Sequence, residues 1–149
     1  MTRRRTRAAW LLLLVPLALS SCGGTTARLS PEQQARLEAE GIVRRADDVW
    51  FRYTHGMGTP RSGWEEHLAS IVVTRQGILI HRNDRILVEV TRRSTGSYAI
   101  RREGDRVSLR AGSDRSARSW AFHAPTDAEG WAADMRVVLG QTAGAKRRR

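Results

Sequence analysis

Cysteine and lysine are almost missing: the 149 residues contain one of each, Cys22 and Lys146. A lone cysteine excludes an intramolecular disulfide. With its only lysine near the end, the chain has none to place in a phosphate-cradling loop. The glycine-rich stretch His55-Gly56-Met57-Gly58-Thr59-Pro60 also lacks the helix start such a loop requires, and reads as a recognition loop between strands. Long apolar runs are scarce too. The longest, Ala8 to Leu19, would span only ~18 Å as a helix at about 1.5 Å per residue, and Pro16 interrupts it. Against a bilayer core of roughly 30 Å it is too short for a permanent membrane span. Acidic residues are outnumbered, 15 to 26 basic, for a net charge of +11. Four of the basics (Arg3, Arg4, Arg5, Arg7) precede Cys22 and four (Lys146 to Arg149) end the chain, so removing those eight from +11 leaves +3. The basicity is terminal, and no basic binding groove follows from it.

The scarce features fall into an order at the N-terminus. Met1 to Arg7 is basic and acid-free, Ala8 to Leu19 is apolar, and Leu19-Ser20-Ser21-Cys22 follows at once. The block resembles a bacterial lipoprotein signal ending in a lipobox, with Leu19, Ser20 and Ser21 before the modified Cys22. The resemblance implies cleavage after residue 21 and a thioether-linked diacylglycerol on Cys22, with further acylation such as palmitate at the new terminus. Two or three chains at ~0.8 kcal/mol per buried CH₂ make an anchor that hardly dissociates. The expected location is a cell membrane or outer membrane, facing the periplasm or exterior; Gly23 is not the acidic residue that favours inner-membrane retention. Nucleic acid is not an expected partner of such an exported chain.

Residues 22–41 read as the lipidated cysteine, a flexible tether (Gly23-Gly24-Thr25-Thr26) and a short helix. Ser30 caps that helix, Pro31 suits its first turn, Gln33 completes a capping box and Gly41 stops it. Its apolar stripe is weak (Ala35, Leu37, Ala39), as for a spacer or a helix lying on the domain surface. From Ile42 the period becomes two. Val49, Phe51 and Tyr53 alternate with Trp50, Arg52 and Thr54. Runs follow at Ile71 to Val73, Ile78 to Ile80, Ile86-Val88-Val90, Tyr98-Ile100, Val107-Leu109 and Trp120-Phe122. Turn compositions at Arg82-Asn83-Asp84, Ser94-Thr95-Gly96, Glu103-Gly104-Asp105 and Gly112-Ser113-Asp114 separate them, which predicts seven strands in an antiparallel meander. A capping box at Thr126-Asp127-Ala128-Glu129 opens a last helix. Its stripe is Ala128, Trp131, Met135 and Val138, and Gly140 ends it.

Seven strands and a terminal amphipathic helix carrying a tryptophan resemble the pleckstrin-homology-like (PH-like) superfold over residues 42–140. Ser119 to Ala124 stands as final strand and Thr126 to Leu139 as helix. The resemblance implies a mainly β fold, an open barrel or sandwich plugged by Trp131; Trp120 and Phe122 share a strand face and read as core, and residues 141–149 read as a disordered basic tail. Lipid-binding members use Lys and Arg spaced two apart around the first two strands; here Arg52, Arg61 and Arg75 stand among Glu65 and Glu66, so phosphoinositide binding is not implied. Trp64 reads first as core or loop packing, and its alternative, shared with Arg61, is a surface contact. His55, His67, His81 and His123 lack metal-ligand spacing, and Asp47-Asp48 and Glu65-Glu66 are adjacent pairs facing opposite sides of a strand. No enzyme signature, cofactor or metal is expected. The expectation is a membrane-anchored envelope lipoprotein serving as a non-enzymatic interaction or scaffold module, with a small barrel for a lipid or other apolar ligand as the alternative and an envelope protein as possible partner.

Overall fold

The computed structural model describes residues 25–56, 63–94, 98–112 and 117–141. Cys22, the lipobox residues Leu19, Ser20 and Ser21, Arg61, most of the glycine-rich loop and the basic tail lie outside them. The order is α1 (Pro31–Glu40), β1 (Ile42–His55), β2 (Gly63–Thr74), β3 (Gly77–Arg82), β4 (Arg85–Thr91), β5 (Tyr98–Glu103), β6 (Arg106–Ala111), β7 (Arg118–His123) and α2 (Ala128–Val138). All seven strands form one antiparallel sheet, ordered β4-β3-β2-β1-β7-β6-β5. It is a mainly β, curled half-barrel with a C-terminal helix and one helix before the strands. Two meanders, β1 to β4 and β5 to β7, join where β1 pairs with β7.

The predicted alternation builds the core directly. Phe51, Ile71, Ile80, Leu109 and Phe122 point inward and are at most 2% exposed. Trp131 of α2 is 3% exposed and meets Phe122 edge-on at 5.4 Å, so the helix plugs one end as expected. The helix begins one residue later than its sequence suggests. Asp127, in the left-handed region at φ 47°, is the cap rather than Thr126, and its Oδ1 accepts from the Gly130 amide at 2.9 Å. Arg44 of β1 pairs with both Asp127 and Asp134 and lies 5.8 Å from the Trp131 ring centroid, fastening helix to sheet. Gly130 follows from this clamp. A Cβ there would come within 2.3 Å of the Arg44 guanidinium and closer still to the Asp127 carboxylate.

Two register shifts revise the alternation. In β4, Ile80 pairs with Val88 but His81 with Ile86, which turns Leu87 toward the core and leaves Ile86 38% exposed, the reverse of the expected faces. In β1, Ala46 pairs with Ile71 and Val49 with Ala69, so Asp47 and Asp48 bulge opposite Ser70, with Asp48 at φ 55°.

The bulge receives the chain that precedes α1. Thr26 is 3% exposed. Its amide donates to Asp48 Oδ1 at 2.7 Å, its Oγ1 accepts from the Asp48 amide at 2.9 Å and lies 2.8 Å from Ser70 Oγ, and its carbonyl accepts from the Asn83 amide at 3.0 Å. The tether expected through residue 26 is therefore already fixed to the sheet at Thr26. The complete capping box on Ser30 and Gln33 and the stop at Gly41 stand as the sequence implied. Only Leu37 of the helix's stripe is buried; Ala35 and Ala39 are exposed. Leu37 packs on Val72 and Leu79, with Leu29 beside it. This explains why β2 and β3 read as continuous apolar runs: α1 covers their outer face while Ile71, Val73, Ile78 and Ile80 fill the inner one.

Candidate functional site

Opposite the end plugged by α2, the half-barrel is open. Inward side chains from β1, β2, β4 and β7 stop short of closing it. They leave a cavity of about 390 Å³, within the range of small-ligand and side-chain pockets. Its floor is aromatic and aliphatic: Phe51, Tyr53, Leu87 and Trp120. Tyr53 and Trp120 are paired across β1 and β7, and their rings stack at 5.8 Å between centroids, 20° from parallel. Trp120 is thus half-buried, packed on the core from one side and facing the opening from the other, while Phe122 on the same strand face is buried outright.

Three arginines stand at the opening. Arg82 and Arg85 flank the tight turn between β3 and β4, where Asn83 takes φ 53°, and Arg118 starts β7 two residues before Trp120. Glu65 and His67 complete the lining and contact each other, Oε2 to Nε2, at 3.3 Å. The mouth is a cationic rim over an apolar floor. Guanidinium groups take carboxylates or phosphates in bidentate fashion, and a stacked aromatic pair takes an apolar or planar group.

The residues singled out in the sequence divide. Trp131 and Phe122 are core. Trp64 is 63% exposed within β2, with the Arg52 guanidinium 5.0 Å from its ring centroid. Glu66 is ion-paired with Arg52, Asp47 with Arg45, and Asp48 serves the bulge. The histidines are scattered: His123 contacts Asp105 at 3.1 Å, which lowers the Asp105 pKa, whereas His81 is fully buried. Among the described residues no three His, Cys, Asp or Glu side chains come together as a metal set. The mouth arginines went unnoticed in sequence because they sit at strand ends. The available signal was the parity of β7, which puts Arg118 on the same face as Trp120.

His81 gives the fold a pH dependence. Its Nδ1 donates to the Asn83 carbonyl at 2.8 Å and its Nε2 has no hydrogen-bond partner, so the ring is neutral; burial lowers its pKa below the ordinary 6.5. The unfolded chain then binds a proton that the folded one refuses. Stability is full above about pH 6.5 and falls as pH drops below it, by at most ~1.4 kcal/mol per pH unit. Urea titrations at pH 7.5 and 5.5 should show this loss, and His81→Gln should flatten it. An equal loss in the variant would assign the effect elsewhere.

No family model matches the chain, and no curated protein matches it. Among solved structures it is similar to the PH domain of human pleckstrin homology domain-containing protein family A member 5. That comparison has 15% identity, covers 72% of this chain and 84% of that one, and gives a TM-score of 0.40.

Proposed function

We propose that this chain is a lipid-anchored, non-enzymatic interaction module of the bacterial envelope, held at a membrane through Cys22, with the barrel mouth as the place where it recognises a protein partner. The observation that supports recognition most is the mouth itself. Arg82, Arg85 and Arg118 over Tyr53, Leu87 and Trp120 suit an acidic side chain set beside an apolar one, and arginine and aromatic residues are those that dominate interface energetics. The basic, apolar and lipobox segments ending at Cys22 support the anchor. A hydrolytic site needs a nucleophile beside a base and a place for the developing charge. The mouth's Glu65 and His67 satisfy each other, and no serine, threonine or cysteine lines it among the described residues.

A carrier of a small apolar ligand is the second reading, favoured by the mouth's floor. The barrel interior behind that floor is packed with Ile71, Ile80, Leu109, Phe122 and Trp131. The module reading predicts that wild-type protein takes up labelled fatty acid and fractionates with membranes. Cys22→Ala should be unlabelled and unprocessed or released. A wild-type product that still starts at Met1, or carries no label, ends the anchor. A photo-crosslinker placed at Arg85 should capture a discrete protein. A small apolar ligand retained in the native mass spectrum, with no crosslink, would instead favour the carrier.

A further inference from the structure

The convex side of the sheet carries a second feature that the mouth does not use. On β1 and β2 the outward residues are Trp50, Arg52 and Thr54 against Leu68, Glu66 and Trp64. The two tryptophans are 61% and 63% exposed, the largest apolar side chains left open among the described residues. They flank the Arg52–Glu66 ion pair, roughly 14 Å apart at about 3.3 Å per strand residue and 4.8 Å between strands. Beside them the same face continues across β7 and β6 in two shallow depressions of about 210 and 160 Å³ that share Arg106 and Ala121 and include Arg101 and Arg110. Small residues (Ser108, Ser119, Ala121) form the floor and arginines the walls, opposed by Glu103 at one edge.

The position of Thr26 is a separate observation. It is hydrogen-bonded to Ser70, an outward residue of β2 two positions, or about 7 Å, from Leu68, which pairs with Trp50. Cys22 lies four residues before Thr26, so its reach from that point is no more than roughly 14 Å. A domain of this length is well over twice that across. Acyl chains on Cys22 would therefore hold the edge beside Trp50 against the bilayer and keep the far side away from it.

We propose that the outer sheet face bearing Trp50 and Trp64 is a membrane-docking face, seated on the headgroup layer of an anionic phospholipid bilayer. Tryptophan settles at headgroup depth, apolar ring inward and N–H toward water, and the flanking arginines meet lipid phosphates. The inference rests on the anchored reading for its second observation, while the aromatic and basic face stands without it.

The single cysteine permits a test in which anchoring is imposed rather than assumed. The chain from Cys22 onward contains the whole described fold and keeps four tryptophans: Trp50, Trp64, Trp120 and Trp131. Coupled through Cys22 to a maleimide lipid in phosphatidylglycerol vesicles, it should show a blue-shifted emission that brominated phosphatidylglycerol quenches. Trp50→Ala/Trp64→Ala should abolish nearly all of that quenching, and Arg85→Glu/Arg118→Glu at the mouth should leave it intact. Near-ultraviolet circular dichroism checks that both variants fold. Uncoupled protein should bind the same vesicles about tenfold or more weakly once the two tryptophans are removed. Absence of quenching in the tethered protein, or quenching that survives the tryptophan substitutions and vanishes in the mouth variant, overturns the docking face. If quenching behaves as expected but cells attach no fatty acid, the docking face survives and the anchor falls.

Discussion

Trp131→Ala should cost about 3–5 kcal/mol of folding stability, a large share of the ~5–15 kcal/mol typical of such domains. The indole is 3% exposed and reaches from α2 into the end of the half-barrel. It meets Phe122 edge-on, and its other face lies near the Arg44 guanidinium. Truncation leaves a cavity at the one place where the two meanders share a lid, and neither Ala132 nor Met135, already buried beside it, has spare volume to fill the gap. It also strips Arg44 of an apolar shelf while leaving its pairs with Asp127 and Asp134 formed. Urea unfolding followed by far-ultraviolet circular dichroism measures the loss, and Trp131→Phe should recover most of it. A loss below 1 kcal/mol for the alanine variant would mean that α2 is not the plug.

The plug was legible in the sequence because its stripe is one-sided and its tryptophan has nowhere apolar to go except inward. Strand number was legible for a similar reason: all turns but Arg75-Gln76 contain glycine, asparagine or aspartate, and the intervening apolar residues alternate except in the continuous runs of β2 and β3. What stayed hidden depends on contacts between segments distant in sequence. Nothing local to Asp48 indicates that it adopts φ 55° and accepts the Thr26 amide, since that geometry exists only once β2 brings Ser70 alongside. The β4 shift was hidden likewise, because Ile86, Leu87 and Val88 are all apolar and hydropathy cannot say which of them is the extra residue. The mouth required three strand ends to be placed in space, so its arginines looked like ordinary surface charge. Trp64 was ambiguous because a tryptophan beside a loop has two environments open to it, and only the pairing of Arg52 with Glu66 sets it on the outward side.

Leu37→Ala should cost about 2–4 kcal/mol, yet unlike Trp131→Ala it should release one element rather than the whole domain. A ten-residue helix is marginal in water on its own, and capping by Ser30 and Gln33 adds only about 1 kcal/mol. What holds α1 to the sheet is chiefly Leu37, 1% exposed against Val72 and Leu79 in a cluster with no link to the main core. With Leu37 truncated, hydrogen exchange should accelerate over residues 31–40 while the amides of Ile71, Ile80 and Phe122 keep their protection. Unchanged exchange over 31–40 would show that Thr26 and the ion pair between Arg36 and Glu89 suffice. The consequence reaches function through geometry. With α1 docked and Thr26 clamped, a lipid on Cys22 would be joined to the sheet by a leash of only about 14 Å. With both undone the leash runs to Ile42, and a flexible chain of that length has a root-mean-square span near 25 Å and no preferred direction. The helix, read from sequence as a spacer or a surface helix, lies on the sheet, and under the proposed anchor its docking would also set which face the domain turns toward a membrane.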